Sequence, residues 1–106
     1  RSGGFGPEFV TADELPAGAK GLKLQTRLNG QVLQDSNTSD MIFDVAQLIA
    51  ICSVAFELVP GDMIVAGTPA GVGAARKPPV FMKAGDVCEV EIEGVGLLSN
   101  PVVDEA

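Results

Sequence analysis

The stretch on which the fold turns is Leu22–Ser36, LKLQTRLNGQVLQDS. Two extended runs flank Asn29-Gly30, the dipeptide favoured in a two-residue type I′ hairpin turn. A turn of that kind pairs Leu28 with Gln31, Thr26 with Leu33 and Leu24 with Asp35. One face then carries Leu24, Thr26, Leu28 and Leu33, and the other carries Lys23, Gln25, Arg27, Gln34 and Ser36. A sheet with one wet face needs this segregation.

Outward from the hairpin, Asp35 to Asp40 reads as a polar loop. Asp44 then caps a helix, with Gln47 three residues on as the reciprocal partner of a capping box, and Phe43 and Leu48 placed for a hydrophobic staple. From Val45 to about Leu58 nearly every side of this helix is apolar, and a helix apolar all round is expected to be buried. Pro60-Gly61-Asp62 ends it and leads into an expected strand, Met63–Thr68. Ala84-Gly85-Asp86 repeats the same turn chemistry and leads into a strand through Glu93. Cys88, Val90 and Ile92 alternate there with Val87, Glu89, Glu91 and Glu93. Gly94-Val95-Gly96 is a tight turn, and Leu97 to Val103 the return strand, with Pro101 marking a sheet edge. A short strand is expected at Phe9–Thr11, followed by a loop marked by Asp13, Pro16 and Gly18. The fold class is α+β, rich in β, with one main buried helix at about 45–58.

The chain has 106 residues, the size of one small domain. Leu, Ile, Val and Phe number 32 of them, enough to build a core. Mean hydropathy is +0.30, high for so short a chain, so a partner or further polypeptide is expected to cover apolar surface. The net charge is −7 and only seven residues are basic, which excludes a phosphate-backbone binder and with it nucleic acid. No tract resembles a polybasic anchor, and the longest apolar stretch, Leu48–Phe56, is interrupted by Ser53, so no membrane partner is expected. The opening Arg1-Ser2-Gly3-Gly4 reads as no signal peptide.

Histidine is absent, which removes His-based acid–base chemistry, Ser-His-Asp and Cys-His systems and ordinary zinc sites from this chain. Cys52 and Cys88 lie far apart in apolar stretches and read as buried free thiols in a reducing, cytoplasmic setting.

The chemistry-bearing candidates are few. In Gly67-Thr68-Pro69-Ala70-Gly71-Val72-Gly73, glycines let backbone approach a ligand and Thr68 adds a hydroxyl, a set suited to a carboxylate or phosphate. A plain turn-rich loop gives the same pattern. It is neither a P-loop, lacking Gly-Lys-Ser/Thr, nor a dinucleotide fingerprint, since Arg76 stands where the third glycine belongs. Glu89, Glu91 and Glu93 form either a solvated strand face or a site for a divalent cation. Asp35 and Asp40 are turn and cap residues or face a substrate.

In order along the chain stand Gly6-Pro7 with Val10-Thr11-Ala12-Asp13-Glu14, Arg27-Leu28-Asn29-Gly30, and Gln34-Asp35-Ser36-Asn37-Thr38-Ser39-Asp40-Met41-Ile42-Phe43. Pro60-Gly61-Asp62 follows, then the phrase from Gly67 to Gly73, then Gly85-Asp86-Val87 with Glu91-Ile92-Glu93-Gly94-Val95-Gly96. This run, from about Gly6 to Val103, resembles the C-terminal half of the fumarylacetoacetate hydrolase (FAH) family catalytic domain. The resemblance implies a mixed β-roll, usually homodimeric, so a homo-oligomer is expected. It implies chemistry on small 2-oxo acids: cleavage of acylpyruvates, or hydration, isomerisation or decarboxylation of ring-cleavage products. It also implies a Mg²⁺ or Mn²⁺ that chelates the 2-oxo acid and stabilises an enolate.

The family's Gly-Thr threonine contacts the substrate carboxylate. Thr68 takes that place, with Gly67, Gly71 and Gly73 shaping the loop as substrate-binding residues. The family's metal ligands, a Glu-x-Glu pair and an Asp, lie upstream of the matched region, as do its catalytic Lys and the lid carrying a His–Glu pair. Glu89-x-Glu91 belongs to the late strand and is not that pair. The expectation is therefore a single partial FAH-like domain over 1–106, with no catalytic residue, metal ligand or cofactor of its own and inactive alone. The other reading is a non-catalytic β-roll that binds small carboxylates or serves association.

Overall fold

The computed structural model describes residues 3–105, so Arg1, Ser2 and Ala106 lie outside it. Strand β1 is Lys23–Leu28, β2 is Gln31–Asn37, helix α1 is Val45–Ala55, β3 is Val87–Ile92 and β4 is Gly96–Pro101. The strands make one sheet in the order β2-β1-β3-β4, and all three pairings are antiparallel. The chain is thus a β-rich α+β fold with one main helix, as the sequence reading has it. Single turns of 3₁₀ helix stand at Ala12–Glu14, Ala17–Ala19, Thr38–Asp40 and Gly73–Ala75.

The hairpin forms at Asn29-Gly30, with φ of 51° and 80°, both in the left-handed region a type I′ turn requires. Its register differs from the expectation after two pairs. Leu28 pairs with Gln31 and Arg27 with Val32, but Thr26 then pairs with Gln34 and Leu24 with Ser36. Leu33 is the extra residue of a β-bulge, which shifts the frame by one. Gln34 and Ser36 therefore join the face of Leu24, Thr26 and Leu28, while Val32, ahead of the bulge, keeps its place opposite Arg27 on the outer face.

The turn is also locked to β3. The Asn29 side chain donates from Nδ2 to Asp86 Oδ1 at 2.9 Å and accepts from the Val87 N–H at 2.8 Å. The Asn29 N–H donates to the Val87 carbonyl at 2.9 Å. Asp86 is buried, and its other oxygen accepts the Lys83 N–H at 3.0 Å. The Asp62 turn uses the same device: the Val59 N–H donates to Asp62 Oδ2 at 2.9 Å and the Asp62 N–H donates to the Val59 carbonyl at 3.1 Å.

Helix α1 starts as expected. Asp44 accepts the Gln47 N–H at 2.8 Å and Gln47 Oε1 accepts the Asp44 N–H at 2.9 Å. Two expectations about this helix are corrected. It ends at Ala55 rather than Leu58, because Phe56 is already extended (φ −157°) and the Pro60 turn draws in the Val59 N–H. It also has no buried residue: Val54 is 89% exposed and Ile51 lies largely in solvent, as does Phe56 just past its end. Two expected strands are likewise absent among the described residues. Phe9–Thr11 and Met63–Thr68 run as irregular chain, since no neighbouring strand offers them a ladder. The expected polar loop from Asp35 is partly strand, because β2 continues to Asn37.

Among the described residues no helix is long and apolar enough to cross a membrane. Leu22 is the one buried hydrophobic residue among them, held by reciprocal bonds with Thr38: its N–H donates to Thr38 Oγ1 at 3.0 Å and its carbonyl accepts the Thr38 N–H at 2.9 Å.

The Asp86 carboxyl is held below its ordinary pKa, first by the bond from Asn29 and then by that from the Lys83 N–H. A carboxyl with a depressed folded-state pKa stabilises fully above its unfolded value, near 3.8, and that contribution disappears as pH falls through the folded value. Carboxyl-carbon NMR is expected to show Asp86 titrating below an ordinary aspartate. Denaturant titrations between pH 5 and pH 2 are expected to show a shallower acid loss of stability in Asp86→Asn than in the native sequence.

Candidate functional site

The phrase from Gly67 to Gly73 crosses the apolar face of the sheet rather than extending it. Gly71 has φ of +106°, and a Cβ there would collide with the Leu33 carbonyl oxygen. A Cβ at Gly73 would collide with the Val80 carbonyl, and the Val80 N–H donates to the Gly73 carbonyl at 2.9 Å. Backbone thus packs directly on backbone, which only glycine allows. Arg76 fastens this contact: its Nε donates to the Gly71 carbonyl at 3.1 Å and its Nη2 donates to the Leu33 carbonyl.

A cleft of about 410 Å³ remains between the loop and the sheet. Thr26, Leu28 and Cys88 form its floor, Val80, Phe81 and Met82 one wall, and Leu33, Gln34, Thr68 and Gly71 through Ala74 the other. The lining is mainly apolar with a few polar groups, the usual make-up of a small-molecule site. Thr68 is exposed at this wall. Its Oγ1 accepts a hydrogen bond from Gln34 Nε2 at 2.8 Å, and the same nitrogen donates to the Pro69 carbonyl at 2.9 Å. With an oxygen lone pair engaged by an amide, the Thr68 hydroxyl has its proton available to an incoming acceptor.

The predicted substrate-binding residues fall into place unequally. Thr68, Gly71 and Gly73 line the cleft. Gly67 precedes them at φ of +94° with nothing close to where a Cβ would stand, and it is not among the lining residues. Regular alternation points Gln34 outward, and the bulge at Leu33 is what brings it in.

The carboxylates are committed elsewhere. On the outer face Arg27 Nη2 meets Glu91 Oε2 at 2.8 Å and Arg27 Nε meets Glu89 Oε2 at 3.1 Å. Hydrogen bonds to Glu91 and then to Glu89 raise the guanidinium pKa, against the opposing effect of burial. The strand face of glutamates is thus a cross-strand ion-pair network. Glu93 Oε2 accepts the Lys23 N–H at 3.2 Å. Asp40 accepts from Ser36 Oγ at 2.9 Å and from the Asn37 N–H at 3.1 Å, the work of a cap, while Asp35 stands opposite Gln25 in the strand register and is exposed. Cys52 and Cys88 are free, but both are only half-buried rather than buried as expected, because little of the described chain covers α1 or the cleft floor. A smaller pocket of about 180 Å³ beside Thr38 and Asp44 is bordered by the Lys20–Asp44 ion pair at 3.7 Å. Among the described residues no three Cys, Asp or Glu side chains converge on one point.

The chain is similar to known proteins over nearly its whole length. It is 49% identical over 99 residues to oxaloacetate tautomerase fahd2, mitochondrial, of Xenopus laevis, a match covering 93% of this chain and 31% of that protein. The structure of fumarylacetoacetate hydrolase (EaFAH) from psychrophilic Exiguobacterium antarcticum superposes with a TM-score of 0.88 at 42% identity, over 95% of this chain and 36% of that one. Maleylpyruvate hydrolase from Sphingobium sp. SYK-6, in complex with manganese (II) ion and pyruvate, superposes with a TM-score of 0.79 at 37% identity, over 92% of this chain and 34% of that one. The chain therefore spans about a third of the length of the curated relatives it matches. The sequence pattern described as fumarylacetoacetate (FAA) hydrolase C-terminal matches residues 1–103, and the chain belongs to that family.

Proposed function

We propose that this segment supplies the carboxylate-binding wall of a FAH-family active site acting on a small 2-oxo acid. The observation that carries the reading is the Thr68 hydroxyl on the wall of an apolar cleft, its oxygen engaged by Gln34 and its proton available. A substrate carboxylate bound there accepts from Thr68, while the apolar floor of Thr26, Leu28 and Cys88 excludes water from the rest of the substrate. The glycine packing under Arg76 keeps the loop at a fixed height over the sheet, so the carboxylate is positioned as well as bound.

Relatives named as a tautomerase of oxaloacetate and as a hydrolase of maleylpyruvate support the substrate class, since both substrates are 2-oxo acids. The divalent metal of the family, Mg²⁺ or Mn²⁺, is assigned in this proposal to residues of the complete protein outside this segment. The exposed apolar side chains of α1 and of Phe81 and Met82 are proposed to be covered by the remaining polypeptide and by a second copy of the protein. Two free thiols favour a reducing compartment, for which the cytoplasm is proposed. A non-catalytic β-roll serving only association would account for the apolar surface but gives the Gln34–Thr68 pair no task; one that binds small carboxylates would use that pair, and is told apart by a complete protein that binds a 2-oxo acid without turning it over.

In the complete protein, Thr68→Val is expected to raise KM for a 2-oxo acid such as oxaloacetate about tenfold. That is the effect of leaving a charged acceptor short of one donor, about 1–3 kcal/mol. Steady-state kinetics check it, and an unchanged KM and kcat would remove Thr68 from the site. Gly71→Ala is expected to lower the melting temperature and raise KM together, since the added Cβ meets the Leu33 carbonyl at a φ of +106° and costs about 1–3 kcal/mol. Calorimetry beside the same kinetics tests that coupling.

A further inference from the structure

We infer that Gln34 is a positioning residue for Thr68. Its amide turns the threonine hydroxyl into a committed hydrogen-bond donor for the substrate carboxylate. The inference rests on the reading of Thr68 given above and adds a second residue to it.

A threonine hydroxyl left to itself rotates, and it can donate to any acceptor or accept from any donor nearby. A carboxylate can only accept. A hydroxyl that binds carboxylates well is therefore one whose other possibilities have been removed. Gln34 removes them. Its Nε2 carries two protons, and the two acceptors in reach are Thr68 Oγ1 at 2.8 Å and the Pro69 carbonyl at 2.9 Å. The Pro69 bond fixes which end of the amide faces the loop, because a carbonyl can only accept. With nitrogen so fixed, Thr68 Oγ1 must accept from Gln34 and donate elsewhere. A glutamate at this position would reverse the polarity, because its carboxylate would take the Thr68 proton itself.

The fold makes an unusual arrangement to place this side chain. On regular alternation from the Asn29-Gly30 turn, Gln34 faces away from the cleft. The bulge at Leu33 rotates it onto the face of Thr26. The bulged carbonyl is in turn held by Arg76 and approached by Gly71, residues of the same loop that carries Thr68. One local irregularity thus fixes both partners of the hydrogen bond, which join residues 34 positions apart.

The test is a double-mutant cycle in the complete protein, with oxaloacetate as substrate. Gln34→Met retains length and loses the amide; Gln34→Glu retains shape and reverses the hydrogen bond. Gln34→Glu is expected to raise KM at least tenfold and Gln34→Met several-fold, with kcat changed much less. In a Thr68→Val background both Gln34 substitutions are expected to raise KM less than twofold further, because the hydroxyl they act through is gone. A role confined to tying the loop to the sheet predicts the opposite: Gln34→Met and Gln34→Glu equal in effect and undiminished by Thr68→Val. Melting temperatures identify any variant that fails to fold, and the other substitution then decides. If Thr68→Val raises KM while neither Gln34 substitution does, positioning by Gln34 is overturned and the reading of Thr68 stands. If Thr68→Val itself has no effect, both are overturned.

Discussion

The carbonyl oxygen of Leu33 is the point on which the site depends. A bulge on β2 takes this residue out of the regular pairing with β1, and the loop that crosses the sheet is built around it. Arg76 donates to that oxygen and to the Gly71 carbonyl, so one guanidinium holds strand and loop in register. Buried or half-buried carbonyls require a donor. Here the donor comes from 43 residues downstream, which makes a local defect in a strand into a long-range tie. Remove the bulge and Gln34 faces the other side of the sheet; remove the tie and Thr68 has no fixed height above it.

The two faces of the sheet are held by different physics. The outer face is polar and charged, with Arg27 bridging Glu89 and Glu91 across two strands. The inner face is apolar and only half covered by the chain itself. The high mean hydropathy of the sequence thus appears as surface: the side chains of α1, Phe81 and Met82 are mostly exposed, and Leu22 is the single buried hydrophobic residue among those described. The helix has apolar residues on nearly every side yet meets little of the remaining chain. Burial inferred from an apolar pattern presupposes that the covering atoms belong to the same stretch of sequence.

Features set by neighbours in sequence were the legible ones. The Asn29-Gly30 turn, the Asp44–Gln47 capping box and the paired Gly-Asp turns at Asp62 and Asp86 all appear as their spacing implies. Each is closed by atoms within three or four residues. The register of β2 was not legible, because Gln31–Asn37 alternates equally well with or without the bulge and its stabilising arginine lies far away. Met63–Thr68 has the composition of a strand but finds no ladder among the described residues. Of the site, Thr68 and its glycines read equally as a ligand loop or as a plain turn, and the cleft beneath them is lined by residues distant in sequence. Gln34 carried no local signal, since its role follows from the register that the sequence left undetermined.

The pairing of β1 with β3 joins Leu28 to Cys88 and so closes the whole intervening chain into one loop. The entropy of such a closure grows only with the logarithm of its length, about 0.6 kcal/mol for each doubling. Residues inserted or deleted between α1 and β3 therefore cost the sheet very little. The same changes slide Thr68 past Gln34, where a shift of an ångström breaks the hydrogen bond. Length in this segment is thus nearly free for stability and tightly held by the site. Divergence in substrate among relatives has an inexpensive route here, because the sheet can be inherited unchanged while the crossing loop is redrawn.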